Sequence, residues 1–268
     1  MPDVLVVGDA AWDTVVRVAA EPAFNRDTPA SIHSGPGGQG FNMAVAASRQ
    51  GVSVALVTQV GTDAQSRALV AAIRRYGVGL PRLTRTDPLT RVVAMVRPDG
   101  ERALLTDPGP GPLREPDSRL AAGMLLLSGY LTDRAGGVER VRAWLDWAAA
   151  RNMPVLLDPA HPRLAARCRP FLSGVGWLLA NQAEWTALGR PTSRPALIKR
   201  GAEGALLLSG GESVVIRAPA GVVVDTTGAG DAVAGAFAAG LALGRTPAEA
   251  ARLAVARGTA VCGQLGSV

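Results

Sequence analysis

The chain has 268 residues, 48% of them hydrophobic, and a formal charge of +6. That length supports one substantial core and excludes a miniature fold held by disulfides. Lys199 is the only lysine, and the arginines that supply the remaining basic charge are scattered singly, which argues against a nucleic-acid partner.

Two cysteines, Cys168 and Cys262, form no short-spaced motif, as expected in a reducing cytosol. The chain opens on a strand pattern without a basic leader, and it carries no run of about 20 uncharged apolar residues. A cytoplasmic protein with no membrane contact is expected.

In chain order, short apolar runs predict buried strands at Val4–Val7, Val54–Val57, Met124–Leu127, Val155–Leu157, Trp177–Leu179, Ala196–Ile198, Ala205–Leu208 and Val222–Val224. Helical periodicity predicts helices near 40–50, 63–76, 137–150, 182–188, 231–243 and 247–262. Strands alternating with helices give an α/β fold with a mainly parallel sheet covered on both faces. Ligands in such sheets bind beyond the carboxyl ends of the strands. Residues 14–19, 29–34, 91–97 and 101–106 read as short strands with no helices of their own. The last two are joined by the turn signal Pro98-Asp99-Gly100. Together these stretches, spanning about 14–34 and 91–106, would form a small β lid on a single domain over 1–268. Residues 107–117, rich in Pro and Gly, read as a loop.

The segment Asp225-Thr226-Thr227-Gly228-Ala229-Gly230-Asp231 opens a helix of small residues. Two glycines in three residues let the backbone turn and aim its N–H groups outward. The first turn of the helix adds unpaired N–H groups and a partial positive charge. A carboxylate beside such an anion pocket suits phosphoryl transfer: Asp231 would take the proton of an attacking hydroxyl while the N–H groups stabilise the transferring group. An Asp at a helix start often does no more than cap it. Here the paired acids, the two threonines and the glycines all favour chemistry. The segment is neither a Walker A loop, since no Lys-Ser or Lys-Thr follows, nor a nucleophile elbow, since no serine sits centrally.

A second glycine-rich stretch is Ser34-Gly35-Pro36-Gly37-Gly38-Gln39-Gly40-Phe41-Asn42. Gly35, Gly37 and Gly40 satisfy a dinucleotide fingerprint, and Asp63 lies about 20 residues on. The preceding strand, Ala30-Ser31-Ile32-His33, is too short and polar for that reading. A backbone brought close to a polyol fits better, with Asn42 offering both amide donor and acceptor; Asn42 as a plain helix residue is the alternative.

These two stretches together resemble the two signatures of the ribokinase-like, or PfkB-type, carbohydrate kinases. Gly37-Gly38-Gln39-Gly40-Phe41-Asn42-Met43-Ala44 is similar to the first, Asp225 through Asp231 to the second, and the order of elements between them matches over nearly the whole chain. The resemblance implies a three-layer sandwich with a β lid and an ATP-dependent phosphotransferase acting on a hydroxymethyl group of a sugar. It implies Asp231 as base, and Gly228, Ala229 and Gly230 as anion hole. Asp13, Gly37, Gly38 and Asn42 would bind substrate; Asp13 could also be an ordinary turn residue. Asn181-Gln182-Ala183-Glu184 resembles the element that reaches phosphates and holds magnesium through water at Glu184, although Asn181 could simply cap a helix. Lys199, Gly201 and Gly204 would lie near the nucleotide, with Lys199 alternatively a solvated strand end. Asp225 and Thr227 fall where some members hold a monovalent cation such as K+, with Ser267 as a late contributor. Lids of this kind often pair between subunits, so a homodimer through the lid is consistent.

The chain departs from the pattern in three places. Ser66 stands where a glycine is usual. The chain stops at Val268, shorter than many relatives, which puts the adenine pocket in doubt. Ser128-Gly129-Tyr130 replaces the acidic residue that ribokinases often carry, which argues against ribose. Arg91, Arg97 and Arg102 on the lid would favour a phosphorylated sugar if they faced inward. A nucleoside kinase, with Ile32, Phe41 and Met95 lining a base pocket, is the alternative within the family. A non-catalytic sugar-binding or regulatory relative is the alternative outside enzymes.

Overall fold

The computed structural model describes residues 1–86, 88–98, 102–109, 113, 115–264 and 266. Its main sheet is built from β1 (Val4–Val7), β4 (Val54–Val60), β5 (Gly79–Arg85), β8 (Met124–Ser128), β9 (Val155–Asp158), β10 (Trp177–Asn181), β11 (Ala196–Lys199), β12 (Ala205–Ser209) and β13 (Glu212–Ile216). They lie in the order β13-β12-β11-β10-β9-β8-β1-β4-β5. Pairing is parallel from β5 to β11. β12 and β13 then close the edge as antiparallel strands.

Successive side chains of a strand point to opposite faces, and each face meets its own core. Val4 and Val6 join Phe41, Leu69, Phe237 and Ala254 on the face covered by α1 (Gln39–Ser48), α2 (Ala64–Arg75), α6 (Ala229–Ala242) and α7 (Pro247–Cys262). Leu5 and Val7 join Trp144, Phe171 and Trp185 on the face covered by α3 (Gly137–Ala149), α4 (Pro162–Cys168) and α5 (Gln182–Ala187). The result is a three-layer sandwich, as the resemblance implied.

A second sheet of four strands stands beside the first, in the order β3 (Ala30–Gly37), β2 (Ala11–Val18), β6 (Arg91–Val96), β7 (Arg102–Asp107). Strands β2 and β6 run parallel, and the outer pairs run antiparallel. Asp99 and Gly100 of the expected turn lie outside the described residues.

One expected strand is corrected. Val222–Val224 is an exposed extended segment, with Val222 76% and Val223 66% accessible. The three valines join no strand of either sheet among the described residues, and the outer edge beyond β12 is formed by β13 instead. Val224 N–H instead donates to the Cys262 carbonyl at the end of α7. Strands β5 and β13 and helix α4 were not expected. β5 carries Pro81, which an edge strand tolerates; β13 is a largely exposed edge; α4 has only seven residues behind its His161 cap and Pro162.

Candidate active site

Helices α1 and α6 pack closely because small residues line their contact. A Cβ on Gly235 would lie 2.1 Å from the Met43 carbonyl, so only glycine allows this approach. The contact brings Asn42 to Asp231, across 189 positions of sequence, and Asn42 Nδ2 donates to Asp231 Oδ2 at 2.8 Å. Asn42 Oδ1 is shielded and has no partner among the described residues.

Helix α6 starts at Ala229, two residues earlier than expected, after Gly228 in the left-handed region at φ 75°. No side chain caps it, and Asp231 sits in its first turn. The Ala229 N–H donates to the Thr226 carbonyl at 3.3 Å, which leaves the Gly230 and Asp231 N–H groups at the helix start beside the carboxylate. Burial pushes the Asp231 carboxyl up to about 7, and Asp158 pushes the same way, while Asn42 and Lys199 pull against them.

Four parallel strands deliver the next group of residues at their carboxyl ends. Lys199, ending β11, bonds Asp158 Oδ2 at 2.6 Å. Asp158, ending β9, also accepts from Gln39 Nε2 at 3.0 Å and from the Ala160 N–H at 2.9 Å. Ser128, ending β8, donates to Gln39 Oε1 at 2.5 Å. Asn181, ending β10, forms a reciprocal capping box with Glu184. Both Glu184 oxygens bond Asn181.

Burial pushes Glu184 up, as Asp158 does, with Lys199 opposing. Lys199 is pulled down by its burial, but Asp158, Glu184 and Asp231 outweigh that and hold it above the ordinary lysine value. Three carboxylates thus share one ammonium. The surplus negative charge fits a hydrated divalent cation reached through water, since magnesium gives up its waters reluctantly. Among the described residues, no group of three or more His, Cys, Asp or Glu makes a direct metal cage. A cleft lined by Asn181, Gln182, Ala183, Lys199, Arg200 and Glu203 opens beside this cluster. Gly201 and Gly204 form its turn at φ 57° and 93°, and a Cβ on Gly204 would strike the Ile216 carbonyl at 2.0 Å.

On the lid side, Gly37 ends β3 directly opposite the Asp13 side chain. A Cβ on Gly37 would lie 1.9 Å from Asp13 Oδ2. Gly38, at φ 93°, fits against Asp9 and Ala11 backbone. Asp9 and Asp13 each keep a shielded Oδ1 with no partner among the described residues. Burial, then the neighbouring Asp9, push the Asp13 carboxyl up to about 6 against the Gly38 N–H. Burial also pushes Asp9 up, against the attraction of Arg134. Two of the lid arginines are engaged elsewhere: Arg91 pairs with Asp63 at 2.9 Å, and Arg97 with Glu21 at 2.8 Å; the Arg102 side chain lies outside what is described. Of the candidate base-pocket residues, Phe41 is fully buried in the core, Ile32 is 62% exposed and Met95 is half-buried in β6.

Asp225 lies at the other end of the loop before α6. Its Oδ1 accepts from Thr227 N–H at 2.9 Å and Thr227 Oγ1 at 2.7 Å. Its Oδ2 accepts from Gly266 N–H at 3.3 Å and faces Arg17 Nη2 at 3.3 Å. Burial raises this carboxyl, but the Thr227 donors, Gly266 and Arg17 prevail and hold it below the ordinary value. A guanidinium therefore already stands where a monovalent cation was expected, and the residues as arranged do not fit that ion. Ser267 lies outside the described residues.

The profile of the pfkB family carbohydrate kinases matches residues 1–268. The chain belongs to this family. It is 32% identical over 300 residues to the bifunctional protein HldE of Pectobacterium atrosepticum, covering 98% of this chain and 60% of that protein. The chain thus spans about three fifths of the length of the HldE proteins it matches. Adenosine kinase from Sinorhizobium meliloti superposes with TM-score 0.85 at 26% identity, covering 99% of this chain and 95% of that one. Arabidopsis thaliana ribokinase complexed with ribose and ATP superposes with TM-score 0.79 at 22% identity, covering 99% and 94%, a likeness of fold.

Within the pfkB frame, the two signature segments meet at the Asn42–Asp231 contact. Lys199 reaches the same helix start, its Nζ 3.5 Å from where a Cβ on Gly230 would lie, with Asn181 lining the cleft beside it and Glu184 bonded to Asn181. Five residues of the site carried no assignment from sequence: Asp9, Arg17, Gln39, Ser128 and Asp158. Asp158 had one usable signal, a carboxylate at the carboxyl end of a parallel strand. Gln39 lies inside the first signature, where the glycines carry the stronger signal.

Proposed function

We propose that this pfkB-family chain transfers the γ-phosphoryl group of ATP to a hydroxymethyl group of a sugar or sugar-like molecule. The observation that carries this reading is the half-buried Asp231 carboxyl, poised near neutrality in the uncapped first turn of α6 and held by Asn42. The acceptor hydroxyl gives its proton to Asp231 as its oxygen bonds the γ-phosphorus. The bond from that phosphorus to the β-γ bridging oxygen breaks, and ADP leaves with the electron pair. The N–H groups around Gly228, Ala229 and Gly230 stabilise the charge on the transferring group.

Asp13, with Gly37 and Gly38 behind it, and Asn42 receive the sugar hydroxyls; Asp9 and Asp13 together offer shielded acceptors that only a donor-rich ligand satisfies. Lys199, Gly201 and Gly204 border the nucleotide, beside Asn181 and Glu184. Magnesium supplies charge neutralisation across the phosphates when bound, and Glu184 would hold it through water.

A sugar is favoured over a nucleoside because Phe41 is buried in the core and Ile32 is exposed, which leaves only the half-buried Met95 of the three for a base pocket. The pairing of Arg91 and Arg97 on the lid surface leaves them no role in reading a substrate phosphate. A non-catalytic relative would have no use for a base and an uncapped helix start side by side. The free thiols Cys168 and Cys262 suit the cytoplasm, and exposed Ile32, Leu104 and Leu105 on the second sheet suit a homodimer through the lid.

The test is magnesium- and ATP-dependent ADP release against sugars, sugar acids, sugar phosphates and nucleosides, with Asp231→Asn alongside. One acceptor class should turn over, and the variant should lose about 10²–10⁴ in kcat. Turnover unchanged in Asp231→Asn would overturn the mechanism.

A further inference from the structure

The Arg17–Asp225 pair is unusual in where its partners come from. Asp225 opens the loop that ends in the anion-hole glycines, whereas Arg17 belongs to lid strand β2. In that strand Arg17 registers with Ser31 of β3 and Val96 of β6, one position before the end. Strand periodicity places Asp13, Val15 and Arg17 on one face. The face that presents Asp13 to the substrate therefore also presents Arg17, about 13 Å farther along at the usual rise per residue. The Arg17 side chain is 34% exposed, while that of Asp225 is only 9% exposed. Both Asp225 oxygens are engaged among the described residues: Thr227 holds one, and Gly266 and Arg17 share the other.

We propose that Arg17 is a positioning residue that supplies from the lid the positive charge the Asp225 carboxylate requires, in place of a monovalent cation. A shielded carboxylate at this point needs a counter-charge to hold the loop in the shape that aims its N–H groups. A free cation would meet that need independently of the lid. A tethered guanidinium meets it only while the lid strand is seated, so the shape of the anion-hole loop follows lid closure. The protein then needs no potassium, and it acquires a cation requirement when Arg17 is removed.

The kinetic consequence rests on the kinase reading, but the binding consequence does not, and the experiment reads both. Wild type, Arg17→Ala, Arg17→Gln and Arg17→Lys are melted without ligand, and assayed for turnover, in potassium, lithium and choline chloride at equal ionic strength. Wild type and Arg17→Lys should melt alike in all three salts. Arg17→Ala and Arg17→Gln should melt lower in choline and recover selectively in potassium, as a cation bound only by the native state requires. In the assay the same two variants should lose about tenfold in kcat in choline, with KM for ATP little changed, and regain part of it in potassium.

Potassium-selective stabilisation of wild type would overturn the proposal. So would indifference of Arg17→Ala and Arg17→Gln to the identity of the cation. A rise in acceptor KM confined to phosphate-bearing substrates, with no salt effect, would make Arg17 a substrate ligand instead. If no acceptor turns over, the kinase reading fails alone and the melting series still decides the role of Arg17.

Discussion

The two sides of the site treat buried charge in opposite ways. On the nucleotide side, Asp158 is saturated: Lys199, Gln39 and the Ala160 N–H all reach it, and Ser128 fixes Gln39 in turn. On the lid side, Asp9 and Asp13 are shielded yet each retains an oxygen with no partner among the described residues, and they repel one another. Satisfied polar networks rigidify a fold, whereas unsatisfied ones cost stability unless a ligand completes them. The first side is a built frame, and the second is a site that awaits donors.

The sharpest way to break this contrast is to delete one charge from each side. Lys199→Met leaves Asp158 without its counter-ion and should cost about 3 kcal/mol, at the low end for a broken buried pair because Gln39 and Ala160 still donate. Asp13→Asn should do the reverse, raising the unliganded melting temperature while raising acceptor KM about ten- to hundredfold. Urea unfolding and steady-state kinetics on both variants decide the matter. Equal destabilisation by the two would erase the distinction.

A second test is pH. Asp231 acts as base only when ionised, so kcat/KM should climb as pH rises through about 7 and level off above it. Stability should move oppositely. A carboxyl whose folded value lies above the ordinary 3.8 binds its proton more tightly in the native state, so its contribution is complete below that value. It is lost as pH rises toward about 7 for Asp231 and about 6 for Asp13. Thermal melts of wild type against Asp231→Asn should coincide below about pH 4, separate as pH rises toward 7 and keep a constant gap above it, with the variant the more stable. A pH-independent gap would show that burial does not set the Asp231 value.

The smallest effect should come from Gly230→Ala. Its Cβ would meet Lys199 Nζ at 3.5 Å, an ordinary contact, and alanine in a helix is favoured by about 0.5–1 kcal/mol. The melting temperature should rise slightly while kcat falls, because the methyl group enters the space of the transferring phosphoryl group. A fall in stability would place Gly230 in the frame rather than the site.

Much of the frame was legible in sequence because its signals are local. β1 and α7 have the bounds that periodicity predicts, the latter fixed by the reciprocal Thr246–Glu249 cap and Pro247. Val222–Val224 misled because an apolar β-branched run reports propensity, whereas pairing depends on where the chain docks, here against the end of α7 rather than on the β13 edge. The polar frame of the site was illegible for a different reason. Gln39 and Asp158 are 119 positions apart, and Arg17 and Asp225 more than 200. No spacing rule relates them. Only the order of the parallel strands, which sets Ser128, Asp158, Asn181 and Lys199 side by side at their carboxyl ends, brings the frame together.

Lys199 has a practical consequence as well as a structural one. Apart from the terminal amine, it is the only primary amine in the chain, and it sits 13% exposed against Asp158 at the mouth of the nucleotide-side cleft. Amine chemistry, usually spread over dozens of surface sites, is here confined to the one place of interest. Isotope-labelled reductive methylation would give a single side-chain resonance that reports cleft occupancy directly, and protection of that amine by a bound nucleotide could be followed by mass alone.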